Sequence, residues 1–125
     1  MENQLKEKEL RMGNHIEFDS KIFTVKEIRD KSITVIGRNG YSQLSIIYVN
    51  PIPLTEDILV KLGFEIENDN LFDDWSVFTK GNLAIYYDSS KDRFIYLETS
   101  IQIKHVHQLQ NLYFALCGEE LTFKN

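Results

Sequence analysis

Short segments in which apolar and polar residues alternate, separated by turns, dominate the first fifty residues. This pattern constrains the fold more than any other feature of this sequence. In the first three segments, apolar residues recur at every second position, which is the period of a β-strand with one buried face. The separator Asn39-Gly40 is a strong hairpin signal, because a type I′ turn requires two positive φ angles. We therefore predict a four-stranded antiparallel meander over residues 12–50, curled as a small SH3-like barrel. Its strands are HIEFD at 15–19, KIFTVKEI at 21–28, SITVIGR at 32–38 and YSQLSIIYV at 41–49.

A short helix is predicted directly after this meander. Pro51 and Pro53 end the last strand, because proline cannot donate a ladder hydrogen bond. Thr55 is a suitable N-cap, and the two acidic residues after it favour the positive end of a helix dipole. Gly63 suits a left-handed C-cap, so the helix is predicted over residues 55–62.

Strand-like sequence then returns and leads into a second helix. A second meander is predicted over residues 64–98, and residues 99–104 form a candidate extended segment. In residues 105–117, apolar side chains recur at spacings of three and four, which predicts an amphipathic helix. Its buried stripe is predicted to hold Val106, Leu109, Tyr113 and Leu116.

These elements predict an α+β fold with two antiparallel β-meanders, a short middle helix and a C-terminal helix. The chain has 125 residues, which is the usual size of one domain, and we expect a single domain over residues 1–125. Residues 1–10 are expected to form a tail, and residues 51–125 a helix–meander–helix arrangement. No apolar run reaches membrane-spanning length, and the start lacks the apolar core of a secretory signal. With a single cysteine, these features predict a cytoplasmic protein.

Charge is unevenly divided along the chain. The net charge is −5, yet residues 1–50 carry eight Lys or Arg against seven Asp or Glu. Binding to phosphates needs a basic surface, and only this first half can provide one. Tyr41 and Tyr48 in the first meander are candidates for stacking on bases, or else for packing in the core or at its rim. The candidate nucleic-acid contacts are Lys21, Lys26, Arg29, Lys31 and Arg38.

Motifs of the common enzyme classes are absent from the sequence. There is no GxGxxG, P-loop, GxSxG or CxxC pattern. His105 and His107 are two residues apart, so on a helix they point in different directions and cannot readily share a metal ion, whereas in a strand they could. Cys117 falls in the apolar stripe of the last helix, where cysteine usually acts as a small buried hydrophobe. We expect no catalytic activity, no cofactor and no bound metal.

An acidic cluster surrounds the link before Trp75. One interpretation is phosphate mimicry, in which the carboxylates occupy the basic groove of a nucleic-acid enzyme, and the other is a solvated loop with charged flanks. The calcium-binding spacing of an EF-hand is absent. The cluster consists of Glu65, Glu67, Asp69, Asp73 and Asp74.

A polar face on the last helix is a candidate partner-binding surface. Helical spacing places its members off the predicted buried stripe, so we expect them to be accessible. The alternative is that these side chains hydrogen-bond to the neighbouring meander and hold the helix in place. The face consists of Lys104, His107, Gln108 and Asn111.

Three stretches together resemble a group of small proteins encoded by phages and mobile elements of the Bacteroides–Flavobacterium lineage. They are ELRMGN at 9–14, PIPLTEDILVKLGF at 51–64 and IKHVHQLQNLYFALCGEEL at 103–121. The chain departs from that group at Cys117, where the resemblance implies threonine, and this argues against a thiol-dependent activity. The resemblance implies a mobile-element origin. By analogy with other small, acidic proteins of such elements, it implies a non-enzymatic, anti-CRISPR-type inhibitor that binds a host protein such as a CRISPR RNA-guided nuclease or its guide-RNA complex.

Overall fold

Two antiparallel sheets and two α-helices make up the described part of the computed structural model, which covers residues 10–68, 75–96 and 98–123. This confirms the predicted α+β fold with two meanders, a short middle helix and a C-terminal helix. The chain divides into two compact units, and the prediction of a single domain remains a prediction. The first unit comprises Met1–Pro53 with His105–Asn111, and the second comprises Leu54–Lys104 with Leu112–Asn125.

The first unit contains a four-stranded meander in the predicted place. Neighbouring strands pair in chain order and antiparallel. Its apolar core is formed by alternate residues of these strands, among them Ile16, Val25 and Val35. The strands are β1 (His15–Phe18), β2 (Lys21–Arg29), β3 (Ser32–Gly37) and β4 (Gly40–Ser45).

The curl of this sheet does not close into a barrel in the described part of the chain. Strands β1 and β4 are not paired with each other. Beyond β4, the backbone of Asn50 exchanges hydrogen bonds of 2.9 and 2.8 Å with that of Glu17 in β1. The predicted strand over 41–49 is too long, because β4 ends at Ser45 and Ile46–Tyr48 form a 3₁₀ turn.

The turn geometry differs from the prediction in one place. The β3–β4 hairpin is present, but Gly37 pairs with Gly40, so the two turn residues are Arg38 and Asn39 rather than Asn39 and Gly40. Neither turn residue has a positive φ, whereas Gly40, the first residue of β4, has a φ of 110°. Positive φ angles at both central residues occur instead in the β1–β2 turn, at Asp19 (52°) and Ser20 (62°). Two positive φ angles in a two-residue loop are the φ signature of a type I′ turn. Asp tolerates this left-handed region better than most residues do.

The second unit contains the predicted short helix and second meander. Helix α1 spans Glu56–Lys61, and the Thr55 hydroxyl caps it by accepting a 3.2 Å hydrogen bond from the Ile58 N–H. The second meander has a fifth strand, formed within the segment predicted to be extended. Its strands are β5 (Glu65–Asn68), β6 (Trp75–Lys80), β7 (Leu83–Asp88), β8 (Arg93–Tyr96) and β9 (Ile101–Ile103).

Helix α2 spans Val106–Cys117, one residue shorter than predicted. Val106, Leu109 and Tyr113 are buried, as predicted, but Leu116 is 52% exposed and was wrongly placed in the core. Apolar spacing identifies one side of a helix, but it does not show how far along the helix that side is covered. Neither helix in the described ranges is long and apolar enough to cross a membrane.

Candidate binding surface on the N-terminal sheet

The polar face predicted on α2 is largely internal. His107 is only 1% exposed, so the expectation that it is accessible is wrong. Helical spacing correctly placed His107 off the main apolar stripe, but the first turns of α2 are covered over a wider arc, which also buries Gln110. Gln108 is half-buried, and its side-chain oxygen accepts a 3.1 Å hydrogen bond from the His105 N–H. Lys104 is exposed.

Asn111 and Gln110 connect the start of α2 to the segment before β1. The Asn111 side-chain oxygen accepts hydrogen bonds from Arg11 Nε at 3.1 Å and from Asn14 Nδ2 at 2.8 Å. Gln110 accepts from the His15 N–H at 2.7 Å and donates to the Gly13 carbonyl at 3.0 Å. For Asn111, this supports the alternative in which the helix face is held by the neighbouring meander.

This network joins two of the stretches that carry the resemblance. Arg11, Gly13 and Asn14 belong to ELRMGN, whereas Gln110 and Asn111 belong to the stretch at 103–121. Buried polar side chains are costly unless they are paired, so each member depends on the others. These residues therefore have a structural role, because the hydrogen bonds between them hold the first unit together.

The candidate basic residues of the first half do not form one patch. In an antiparallel meander, the β1–β2 and β3–β4 turns lie at one end of the sheet and the β2–β3 turn lies at the other. Lys21 and Arg38 therefore lie at one end, whereas Arg29 and Lys31 lie at the opposite end. Lys26 lies between them, at a β-bulge in β2, and Arg29 is ion-paired with Glu27.

A groove opens at the end of the sheet that carries Lys21 and Arg38, and we call it the turn-end groove. It has a volume of about 810 Å³ and includes no Asp or Glu among its described lining residues. Among the described residues, neither Lys21 nor Arg38 is held in an ion pair. The groove is lined by Ser20, Lys21, Ile22, Phe23, Arg38, Asn39, Gly40 and Ser42.

The Phe23 wall of the groove depends on a glycine in the neighbouring strand. A Cβ atom placed on Gly37 would lie 2.5 Å from both Cδ1 and Cε1 of Phe23, so the aromatic ring occupies the space of a side chain at that position. On its own face of the sheet, Phe23 also lies near Phe18, with ring centroids 6.3 Å apart. The sequence contained no signal for this close approach beyond the glycine itself.

Two exposed apolar side chains lie at the same end of the sheet as the turn-end groove. Ile22 is 48% exposed and Tyr41 is 69% exposed, and strand alternation places both side chains on the face opposite to Phe23 and Ser42. Tyr48 is similarly exposed, at 65%, but it lies in the 3₁₀ turn after β4. That turn is at the other end of the sheet, because the Ile46 N–H donates to the Lys31 carbonyl. Both tyrosines are therefore accessible rather than buried in the core.

The acidic cluster is only partly described. Glu65 and Glu67 lie in the edge strand β5 and are exposed. Glu67 accepts a 3.3 Å hydrogen bond from the Thr79 hydroxyl in the neighbouring strand. Asp69, Asp73 and Asp74 lie outside the described residues. The described carboxylates fit a solvated strand edge, and the phosphate-mimicry interpretation stays a prediction.

The histidine and cysteine candidates are not assembled around a common point in the described ranges. The rings of His105 and His107 stack, with centroids 5.8 Å apart and an angle of 13° between planes. The expectation that the two side chains point in different directions is therefore wrong, because α2 begins at Val106 and His105 precedes the helix. Within residues 10–68, 75–96 and 98–123, no group of three His, Cys, Asp or Glu side chains is arranged to hold a metal ion. Cys117 is half-buried at the end of α2.

Two ionisable side chains at the β7–β8 turn have shifted pKa values. The Ser90 hydroxyl donates a 2.6 Å hydrogen bond to the Asp88 carboxylate, and this lowers the pKa of Asp88. The Tyr87 hydroxyl donates a 2.7 Å hydrogen bond to Asp92, which raises the pKa of Tyr87 to about 12. Both pKa shifts follow from hydrogen bonds that close the turn. The sequence itself predicts only a hairpin connection at this link.

No protein-family model, curated protein or solved structure matches this chain.

Proposed function

We propose that this protein is a non-enzymatic accessory protein of a phage or mobile element that acts by binding a host protein. The proposed target is a host defence enzyme, such as a CRISPR RNA-guided nuclease or its guide-RNA complex. The origin rests on the resemblance, and the class of target rests on the analogy with small acidic inhibitors. The proposed contact surface surrounds the exposed Tyr41, at the same end of the sheet as the turn-end groove.

The exposure of Tyr41, at the same end of the sheet as Arg38, is the observation that carries the proposed surface. Tyrosine and arginine are among the residue types most enriched in the energetically dominant positions of protein interfaces. Tyr41 is 69% exposed on a strand, and the exposed Ile22 lies at the same end of the sheet. A large apolar side chain gains most when a partner removes it from water. This surface therefore combines apolar side chains that a partner can bury with nearby cations that can orient that partner.

A matched pair of tyrosine variants tests the proposal. Tyr41→Ser removes the proposed anchor, whereas Tyr48→Ser removes an equally exposed tyrosine at the other end of the same sheet. Wild type and both variants are tagged, incubated with lysate of a host from the Bacteroides–Flavobacterium lineage, and compared by quantitative mass spectrometry. We expect a host protein that is captured by wild type and by Tyr48→Ser, and that is lost with Tyr41→Ser.

The Kd of the purified partner for wild type and for Tyr41→Ser then gives the size of the loss in affinity. Loss of an interface anchor costs about 2 kcal/mol or more, which corresponds to about a thirtyfold increase in Kd. If the captured protein is a nuclease, its cleavage of target DNA should fall when wild type is added and should recover with Tyr41→Ser. Equal capture by all three proteins, or equal loss with both variants, would contradict the proposed surface.

A further inference from the structure

The turn-end groove brings together two cations that are 17 positions apart in the sequence. Lys21 begins β2 and Arg38 lies in the β3–β4 turn, and antiparallel pairing places both at one end of the sheet. The lining between them is polar and small, with Ser20, Asn39 and Ser42 able to donate hydrogen bonds. This composition fits an anionic group.

The groove also has an apolar side. Phe23 is half-buried and lines the groove, and strand alternation places it on the same face of the sheet as Lys21 and Ser42. The nearest carboxylates along the chain are Glu17, which lies opposite Ile22 in β1, and Asp19 in the β1–β2 turn. Neither lines the groove. An anion next to an apolar surface is the combination that a nucleotide presents, with its phosphate and its base.

We propose that the turn-end groove binds single-stranded nucleic acid, with a phosphodiester between Lys21 and Arg38 and a base against Phe23. This goes beyond the proposed function and does not rest on it. Only an unpaired strand offers a base face next to its phosphate, since the bases of a duplex are stacked inside. A volume of about 810 Å³ is within the range of small-ligand pockets, ~300–1,000 Å³.

Fluorescence anisotropy with labelled oligonucleotides tests the proposal on the full chain. The probes are dT12, rU12 and a DNA duplex of the same length, each measured between 50 and 200 mM salt. One phosphodiester contact on a single strand predicts a slope of about 0.7 in log Kd against log salt, so Kd should rise about 2.6-fold over this range. We expect at least one of the single strands to bind, and the duplex to bind at least about tenfold more weakly.

Two double variants with the same net charge distinguish binding in the groove from general electrostatic attraction. Lys21→Ala with Arg38→Ala removes both groove cations and should abolish most of the salt slope, with about a tenfold or larger loss of affinity. Lys26→Ala with Arg29→Ala also removes two exposed cations, but from outside the groove, and should leave Kd within about twofold. Far-UV circular dichroism confirms that each variant is folded.

A third variant tests the proposed base contact separately from the phosphate contact. Phe23→Leu should weaken single-strand binding several-fold while leaving the salt slope unchanged, because it removes the aromatic stacking surface and no charge. The proposal is overturned if wild type binds neither single strand at 50 mM salt, if both double variants lose affinity equally, or if the duplex binds as tightly as the single strands. None of these outcomes affects the tyrosine-dependent capture of a host protein, so the two proposals fail separately.

Discussion

Gln110 is a fully buried glutamine whose amide makes two hydrogen bonds to the backbone of the segment before β1 and the start of β1. Its truncation would leave the His15 N–H and the Gly13 carbonyl without these bonds. Unmet buried polar groups cost about 1–3 kcal/mol each. We therefore expect Gln110→Ala to lower the free energy of unfolding by about 2 kcal/mol or more, measured by urea denaturation.

Gln43 provides the control for that measurement. It is an exposed glutamine on β4, and Gln43→Ala should change the free energy of unfolding by less than about 0.5 kcal/mol. An equally small effect of both substitutions would show that the network around Gln110 is not a significant source of stability.

Asp88 should make stability depend on pH. Hydrogen bonds from Ser90 lower the pKa of Asp88 in the folded state, so the ionised carboxylate stabilises the fold above the unfolded pKa of about 3.9. That stability is lost as the pH falls through the folded pKa. Asp88→Asn keeps an acceptor for Ser90 but removes the titration. We expect the stability difference between wild type and Asp88→Asn to shrink from pH 6 to pH 2.5 in chemical denaturation. A difference that stays constant with pH would contradict this role.

At the level of elements, the contact between β2 and β3 at Gly37 should be sensitive to any added side chain. Gly37→Ala places a Cβ 2.5 Å from the Phe23 ring, so one strand or the ring must shift. Overpacking of this kind costs about 1–3 kcal/mol. We expect that loss in urea denaturation, together with a smaller cost of Gly37→Ala in a Phe23→Leu background. Strictly additive effects of the two substitutions would show that the ring and the glycine are not coupled.

The elements also show where local sequence signals are sufficient. The Thr55 N-cap lies where predicted and α1 follows it, because capping is decided within a few residues. The two positive φ angles expected at Asn39-Gly40 are instead found at Asp19-Ser20. Both turns join strands by two residues, and the pairing of the flanking strands decides which backbone geometry each turn adopts.

At the level of the whole molecule, the two units are each about 60 residues, a size at which an isolated core is marginal. We therefore expect the chain to unfold in one cooperative transition, as the single-domain prediction requires. Trp75 is the only tryptophan and lies in the second unit, so its fluorescence reports on that unit. Its urea midpoint should coincide with that of far-UV circular dichroism.

A substitution in the first unit makes this test specific. Gln110→Ala should lower the Trp75 midpoint if the units unfold together, although Gln110 belongs to the first unit and Trp75 to the second. A Trp75 midpoint that does not move while the circular dichroism transition shifts or splits would show that the units unfold independently.

Local sequence patterns are sufficient to predict the class of fold, the two meanders, both helices and the apolar side of α2. These features depend on backbone periodicity and on caps, which are properties of a few neighbouring residues. The burial of His107, the exposure of Leu116 and the hydrogen bonds of Asn111 to Arg11 and Asn14 depend instead on the tertiary structure. The tertiary structure also decides that Lys21 and Arg38 share a groove while Arg29 and Lys31 lie at the other end of the sheet. The physical reason is that burial and proximity depend on which distant segment covers a residue, and periodicity carries no information about that segment.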